Sequence, residues 1–156
     1  KAPAAEIASW VDRKDNTYSV TNNPYKFKLI LRGTRDGFTA NSFWRLCNMQ
    51  TPLVIVIKVK DTDEILVQNS ILSRVIDPKH AILCFRNYGP HFGEGYDLAM
   101  WNNFNKDKNC WNKQMSYEKR IRNVTTYDNF NRSSFSVDEY EIFQISKKTF
   151  KYYNEK

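Results

Sequence analysis

The run Leu53-Val54-Ile55-Val56-Ile57-Lys58-Val59 constrains the fold more than any other part of this chain. Pro52 precedes it and Asp61-Thr62-Asp63 follows it, so it is bounded by turn chemistry at both ends. β-Branched side chains pack well on a pleated sheet, and a segment this rich in them forms a strand. Its wholly apolar stretch, Leu53 to Ile57, is far shorter than the roughly 20 residues of a membrane-spanning helix.

Further strands have the same punctuation. Tyr25, Phe27, Leu29 and Leu31 alternate with Lys26 and Lys28, with Ile30 the exception, which predicts a half-buried strand. Glu64 to Val67, Ala81 to Phe85, Asp97 to Trp101 and Glu139 to Ile145 add others, while Asn69 to Val75 is ambiguous by periodicity. Two helices are predicted. Ala4, Ile7, Ala8 and Val11 recur at helical spacing, with Trp10 widening the stripe and Pro3 suited to the first turn. Ala40, Phe43, Trp44 and Cys47 form the second stripe, with Thr39 as its cap and Phe38 placed to staple onto Phe43.

The rest reads as connections. Asp12 to Pro24 is polar and turn-rich, and Gly33 to Gly37 is a turn. From Asn87 the chain is expected to turn repeatedly through Gly89, Pro90, Gly93 and Gly95. Asn102 to Asn112 reads as a polar, Asn-rich loop, and Ser136 to Glu139 has capping-box spacing that fits a single helical turn. Short helices among several strands with turn chemistry between them predict one antiparallel α+β domain, a sandwich.

With 156 residues and 41% hydrophobic residues, the chain has the means to bury one core. Its net charge of +7 divides into 11 basic and 8 acidic residues up to Pro78, and 13 and 9 after it. The charge is therefore spread, +3 and +4, and reads as solvated surface. Local basic clusters lie at Lys113, Lys119, Arg120 and Arg122, and at Lys147, Lys148 and Lys151. A nucleic-acid-binding module is the alternative that would use them. Cys47, Cys84 and Cys110 are odd in number and widely spaced, and with only His80 and His91 to join them no zinc site is expected. Cys47 should be buried, and Cys110 is the expected exposed thiol. The start, Lys1-Ala-Pro-Ala-Ala-Glu6, has no apolar signal core and no Met, which suggests a fragment of a longer cytoplasmic or nuclear protein.

Three places carry candidate chemistry. His91 lies near Glu94 and Asp97, where a general base for a hydrolase-like reaction would sit. No nucleophile elbow accompanies it, and Gly93-Glu94-Gly95 lacks the helix and Lys of a phosphate loop, so no catalytic residue and no cofactor are expected. Asp138, Glu139 and Glu141 bring carboxylates together. Glu139 and Glu141 should share one strand face, either as a solvated surface or as an acid–base pair. Arg35-Asp36 is a turn with a local ion pair, or a contact for a partner.

Three blocks, in order, carry a resemblance. They are Leu31-Arg32-Gly33-Thr34-Arg35-Asp36-Gly37-Phe38 with the helix and strand after it; Ala81-Ile82 with Tyr88-Gly89-Pro90-His91-Phe92-Gly93-Glu94-Gly95 and Asp97-Leu98; and Phe135 to Ile145. Across Glu6 to Ile145 the chain resembles the TLDc domain, the oxidation-resistance module, and in detail the fungal TLDc proteins that often carry an upstream BTB domain. The resemblance implies a β-sandwich flanked by short helices and a non-catalytic interaction role in oxidative-stress resistance. It also implies, as partner, the vacuolar proton-pumping ATPase. Arg35, Asp36, His91, Glu94, Asp97, Glu139 and Glu141 are the expected binding residues. One departure stands out: after Leu66 the family usually continues with Gly-Gly-Tyr and a further apolar strand, where this chain has Val67-Gln68-Asn69-Ser70. The expectation is therefore a sandwich missing core strands.

Overall fold

A computed structural model describes residues 4–50, 52–68, 85–117, 120–122, 124 and 127–149. Helix α1 (Ala4–Val11) buries Ile7 and Ala8 of the stripe its spacing predicts, with Val11 half-buried, but it exposes Ala4 and buries Ala5 in its place. A polar loop leads to strand β1 (Tyr25–Arg32), one helical turn α2 (Gly33–Asp36) and helix α3 (Ala40–Cys47). Thr39 caps α3, its hydroxyl accepting the Ser42 N–H at 3.1 Å, a contact that contributes about 1 kcal/mol. Strands β2 (Leu53–Val59) and β3 (Ile65–Gln68) form a hairpin, with Asp61 in the left-handed region at φ 59°. Then follow β4 (Tyr88–Phe92), β5 (Leu98–Trp101), β6 (Cys110–Asn112), β7 (Ser133–Phe135) and β8 (Val137–Lys147).

These strands make two antiparallel four-stranded sheets, ordered β1-β8-β2-β3 and β4-β5-β6-β7. The domain is α+β and sandwich-like. Leu31, Ile55, Ile57, Tyr140 and Ile142 of the first sheet share one buried cluster with Leu98, Met100, Cys110 and Phe135 of the second. Phe104 fills the space between, its ring edge-on to Tyr140 at 5.6 Å. The Tyr140 hydroxyl, buried with its ring, donates to the Gly37 carbonyl at 3.0 Å, so its polar end is satisfied. The chain crosses between sheets at Ser136, whose carbonyl accepts the Lys60 N–H at 2.9 Å. On its other face the first sheet carries α1: Ile7 and Ala8 pack with Tyr25, Val54 and Ile145.

Tertiary context overrides the sequence pattern at several points. A bulge between Leu29 and Leu31 sends Leu31 to the inner face opposite Ile142, while Leu29 pairs with Phe143. Leu31 therefore does not share a side with Tyr25, Phe27 and Leu29, and Ile30 is the residue that breaks the alternation. Gly33 to Asp36 closes as a helical turn. The ring contacts of Phe38 and Phe43 are with Tyr140 at 5.7 Å and Trp44 at 5.0 Å, where a Phe38–Phe43 staple was expected. Gly89 and Pro90 lie inside β4, which has its own register shift between Tyr88 and His91. The expected Asn102–Asn112 loop ends in β6, and Ser136 to Glu139 enters β8 rather than turning as a helix. Strand β7 had no alternating signal. Asn69 to Val75 and Ala81 to Cys84 lie outside the described residues, and Phe85 is not in a strand. Among the described residues no helix is long and apolar enough to cross a membrane.

Candidate functional site

The part of the first sheet's outer face that α1 leaves open is charged. Pairing sets Glu141 between Arg32 and Val56, and Lys58 between Glu139 and Ile65, making two cross-strand rows. Glu139 and Glu141 are two residues apart on one strand, so both face outward, as their spacing predicts. Arg32 donates from Nε and Nη2 to Glu141 Oε1 at 2.9 and 2.6 Å. Glu141 is buried at this contact, and Arg32 stays half-exposed. Glu139 accepts the Thr34 N–H at 3.1 Å and its hydroxyl at 2.5 Å, anchoring α2 to the sheet. Lys58 Nζ lies 2.6 Å from Asp138, and that hydrogen bond raises the lysine's pKa. Arg32, Thr34, Lys58, Glu139 and Glu141 line, together with Val56 and Ile65, an open cleft of about 360 Å³.

The Arg35-Asp36 turn borders this cleft through Thr34 and Arg32. Asp36 Oδ2 accepts the Arg32 backbone N–H at 2.8 Å and Arg35 Nη2 at 2.8 Å. The Arg35 hydrogen bond is the main force holding the Asp36 carboxyl below its ordinary range. Arg35 also reaches the Ile30 carbonyl at 3.3 Å, so the ion pair braces the bulge. Four of the sequence-derived candidates, Arg35, Asp36, Glu139 and Glu141, thus gather in one place. Each carboxylate there is already engaged by a donor, which suits a charged docking surface better than proton transfer.

His91, Glu94 and Asp97 form a separate group on the β4–β5 hairpin. Asp97 is buried and spends its carboxylate on backbone: Oδ1 accepts from Met115 and Tyr117 at 2.9 and 3.1 Å, and Oδ2 from Ser116 at 2.8 Å. Gly93 sits at φ 76°, and a Cβ there would strike the Asp97 carboxylate. Glu94 is exposed, its backbone N–H donating to Ser116 Oγ at 3.0 Å. His91 is buried in a ring stack, 4.9 Å from Tyr88, 5.3 Å from Phe85 and 5.4 Å from Tyr96. Among the described residues neither ring nitrogen makes a hydrogen bond of good geometry. Burial lowers the His91 pKa; the neighbouring Gly93 backbone and Asp97 carboxylate oppose this and are outweighed. The cluster organises a turn. It does not bring an imidazole into hydrogen-bonding contact with a carboxylate.

No family model and no curated protein matches this chain.

Two further expectations change. Cys110, predicted as the exposed thiol, is fully buried on β6 with Sγ directed at the Phe104 carbonyl, and burial raises its pKa. Cys47 is buried as expected, its thiol pushed up to about 12. In the basic cluster, Arg122 is turned inward: it bonds Glu64 Oε2 at 2.9 and 2.6 Å and lies 4.6 Å above the Phe135 ring. Arg120 lies 4.3 Å over Tyr127. Those two arginines are therefore committed to internal contacts, while Lys119, Lys151, His80 and Cys84 lie outside the described residues. Among the described residues no group of three ligating side chains stands ready for a metal ion.

Sequence reasoning missed Arg32, Thr34 and Lys58 as members of the cleft. Their signal was cross-strand charge complementarity, which emerges only once the register of β1, β8 and β2 is known.

Proposed function

We propose that this chain is a TLDc-like interaction module, non-catalytic, that docks a protein partner through the charged cleft on the outer face of its first sheet. The observation that carries the reading is the alternation of Arg32, Lys58, Glu139 and Glu141 over Val56 and Ile65, beside the Arg35-Asp36 turn. Opposite charges fixed on a rigid sheet select a partner by complementarity and steer its approach. A basic polyanion-binding groove would carry one sign, and this cleft carries both. The environment of His91 supports the non-catalytic part. Among the described residues its nitrogens bond neither a nucleophile nor a carboxylate, and Asp97 is consumed by backbone N–H groups.

The family resemblance supplies the proposed context, oxidative-stress resistance, and the proposed partner, a subunit of the vacuolar proton-pumping ATPase. Affinity capture from a fungal lysate tests both. The chain should recover proton-pump subunits, and Arg35→Glu or Glu139→Lys should reduce the recovery at least about tenfold, a loss of about 1.4 kcal/mol. Equal recovery by the wild type and both variants rules out the cleft. Absence of pump subunits from the wild-type capture rules out the partner.

A further inference from the structure

A second groove lies where the N-terminal turn of α3, the residues leading into β4 and the end of β5 meet. It encloses about 600 Å³, within the range of about 300–1,000 Å³ usual for binding pockets, and shares no residue with the charged cleft. Asn41, Asn87, Asn102, Trp44, Phe85 and Arg86 are among the residues that line it. Backbone contacts hold these segments in place. The Asn102 N–H donates to the Asn87 carbonyl at 3.0 Å, the Phe104 N–H to Phe38 at 2.8 Å, and Thr39 bridges Asn103. The Trp44 indole donates to the Tyr88 carbonyl at 2.7 Å, fixing that ring as a wall. The groove is pre-formed, which limits the ordering a ligand must impose.

We infer that this groove binds an extended peptide segment with an acidic residue next to an apolar one. Each asparagine amide offers one carbonyl acceptor and an NH₂ donor, the complement of a peptide unit. Three exposed amides around one groove therefore suit a main chain whose own hydrogen bonds are unmade, as in a strand-like ligand. Phe85, 49% exposed, and the Trp44 ring supply the apolar wall. Among the described lining residues Arg86 alone is charged, and the chain as a whole carries +7, so an acidic side chain is the complementary partner. A single-stranded nucleic acid is less well matched. Its affinity comes from neutralising several phosphates in succession, and one arginine does not provide that.

Selection of a random-peptide display library on the intact chain tests the inference. The retained peptides should pair Asp or Glu with a neighbouring Leu, Phe or Trp. Their affinity, read by fluorescence anisotropy, should fall about tenfold or more in Arg86→Glu and in Asn87→Ala. Both positions are exposed, so the variants should fold, and a circular-dichroism spectrum checks that. The Glu139→Lys variant, altered in the other cleft, should bind the same peptides unchanged. The inference is overturned if no peptide is enriched, or if the groove variants bind as tightly as the wild type. It also fails if a short oligouridine binds the groove more tightly than every selected peptide.

Discussion

His91 is buried, and among the described residues neither nitrogen makes a hydrogen bond of good geometry, an arrangement with a pH consequence. In the unfolded chain its imidazole titrates near about 6.5, and burial lowers the folded value below that. As pH falls through about 6.5 the unfolded state therefore takes up the proton first. The stability linked to this residue is fully present above that pH and is lost below it. The melting temperature should drop between about pH 7.5 and pH 5, and His91→Phe, which keeps a ring in the stack, should remove much of that drop. An unchanged pH dependence in the variant would show that His91 is solvated or partnered in solution. The sequence suggested His91 as a base because carboxylates are near it in the chain. What it did not show is where those carboxylates point: Asp97 turns to the 115–117 backbone, and the ring turns into Tyr88 and Tyr96. Cys110 was misjudged for a related reason. Its Asn-rich neighbours read as surface, yet Asn112 is itself buried, its amide donating to the Asp97 carbonyl at 2.5 Å.

Elements were legible wherever one period ran unbroken. Helix α3, strand β2 and the β2–β3 turn follow their patterns, helix α1 does so except at exposed Ala4, and Thr39 caps as its type predicts. Elements whose form depends on a distant partner were not legible. Ser136 has the spacing of a capping box, but its hydroxyl accepts from Lys108 and its carbonyl from Lys60, while Glu139 bonds Thr34. Strand β7 exists because β6 pairs with it. The contact between Glu64 and Arg122 is of this long-range kind and joins the β2–β3 hairpin to the segment before β7. Arg122 is only 7% exposed at its side chain, Glu64 30%, so the pair is partly screened. Glu64→Gln should leave a nearly buried guanidinium short of its counter-charge and destabilise the fold by about 1–3 kcal/mol in urea unfolding. A change below about 0.5 kcal/mol would mean that the Phe135 ring alone satisfies Arg122.

For the molecule as a whole, two four-stranded sheets around one core match the sandwich reading of the sequence. The charged cleft was legible only in part, because Glu139 and Glu141 share a strand but Arg32 and Lys58 come from two others. After Leu66 the resemblance implies Gly-Gly-Tyr and a further apolar strand, where the sequence continues Val67-Gln68-Asn69-Ser70. Strand β3 has β2 on one side and, among the described residues, no strand on the other, and Ile65 is 40% exposed. Net stability of a domain is only about 5–15 kcal/mol, and each core side chain contributes roughly 1.5–3 kcal/mol. We therefore expect the isolated chain to be marginally stable and to bind a hydrophobic dye. A family-typical segment inserted between Leu66 and Gln68 should raise its melting temperature and reduce dye binding. A sharp, monomeric transition without dye binding would show that the sheet closes unaided.

Hydrogen exchange on the chain with its captured partner tests the docking claim most directly. Amides exchange slowly where a partner excludes water, and Thr34 to Asp36 and Glu139 to Glu141 border the cleft. The account predicts slower exchange in those two segments on binding, with the Gly93–Asp97 turn unchanged. Protection confined to the Gly93–Asp97 turn, or none in either cleft segment, would contradict it.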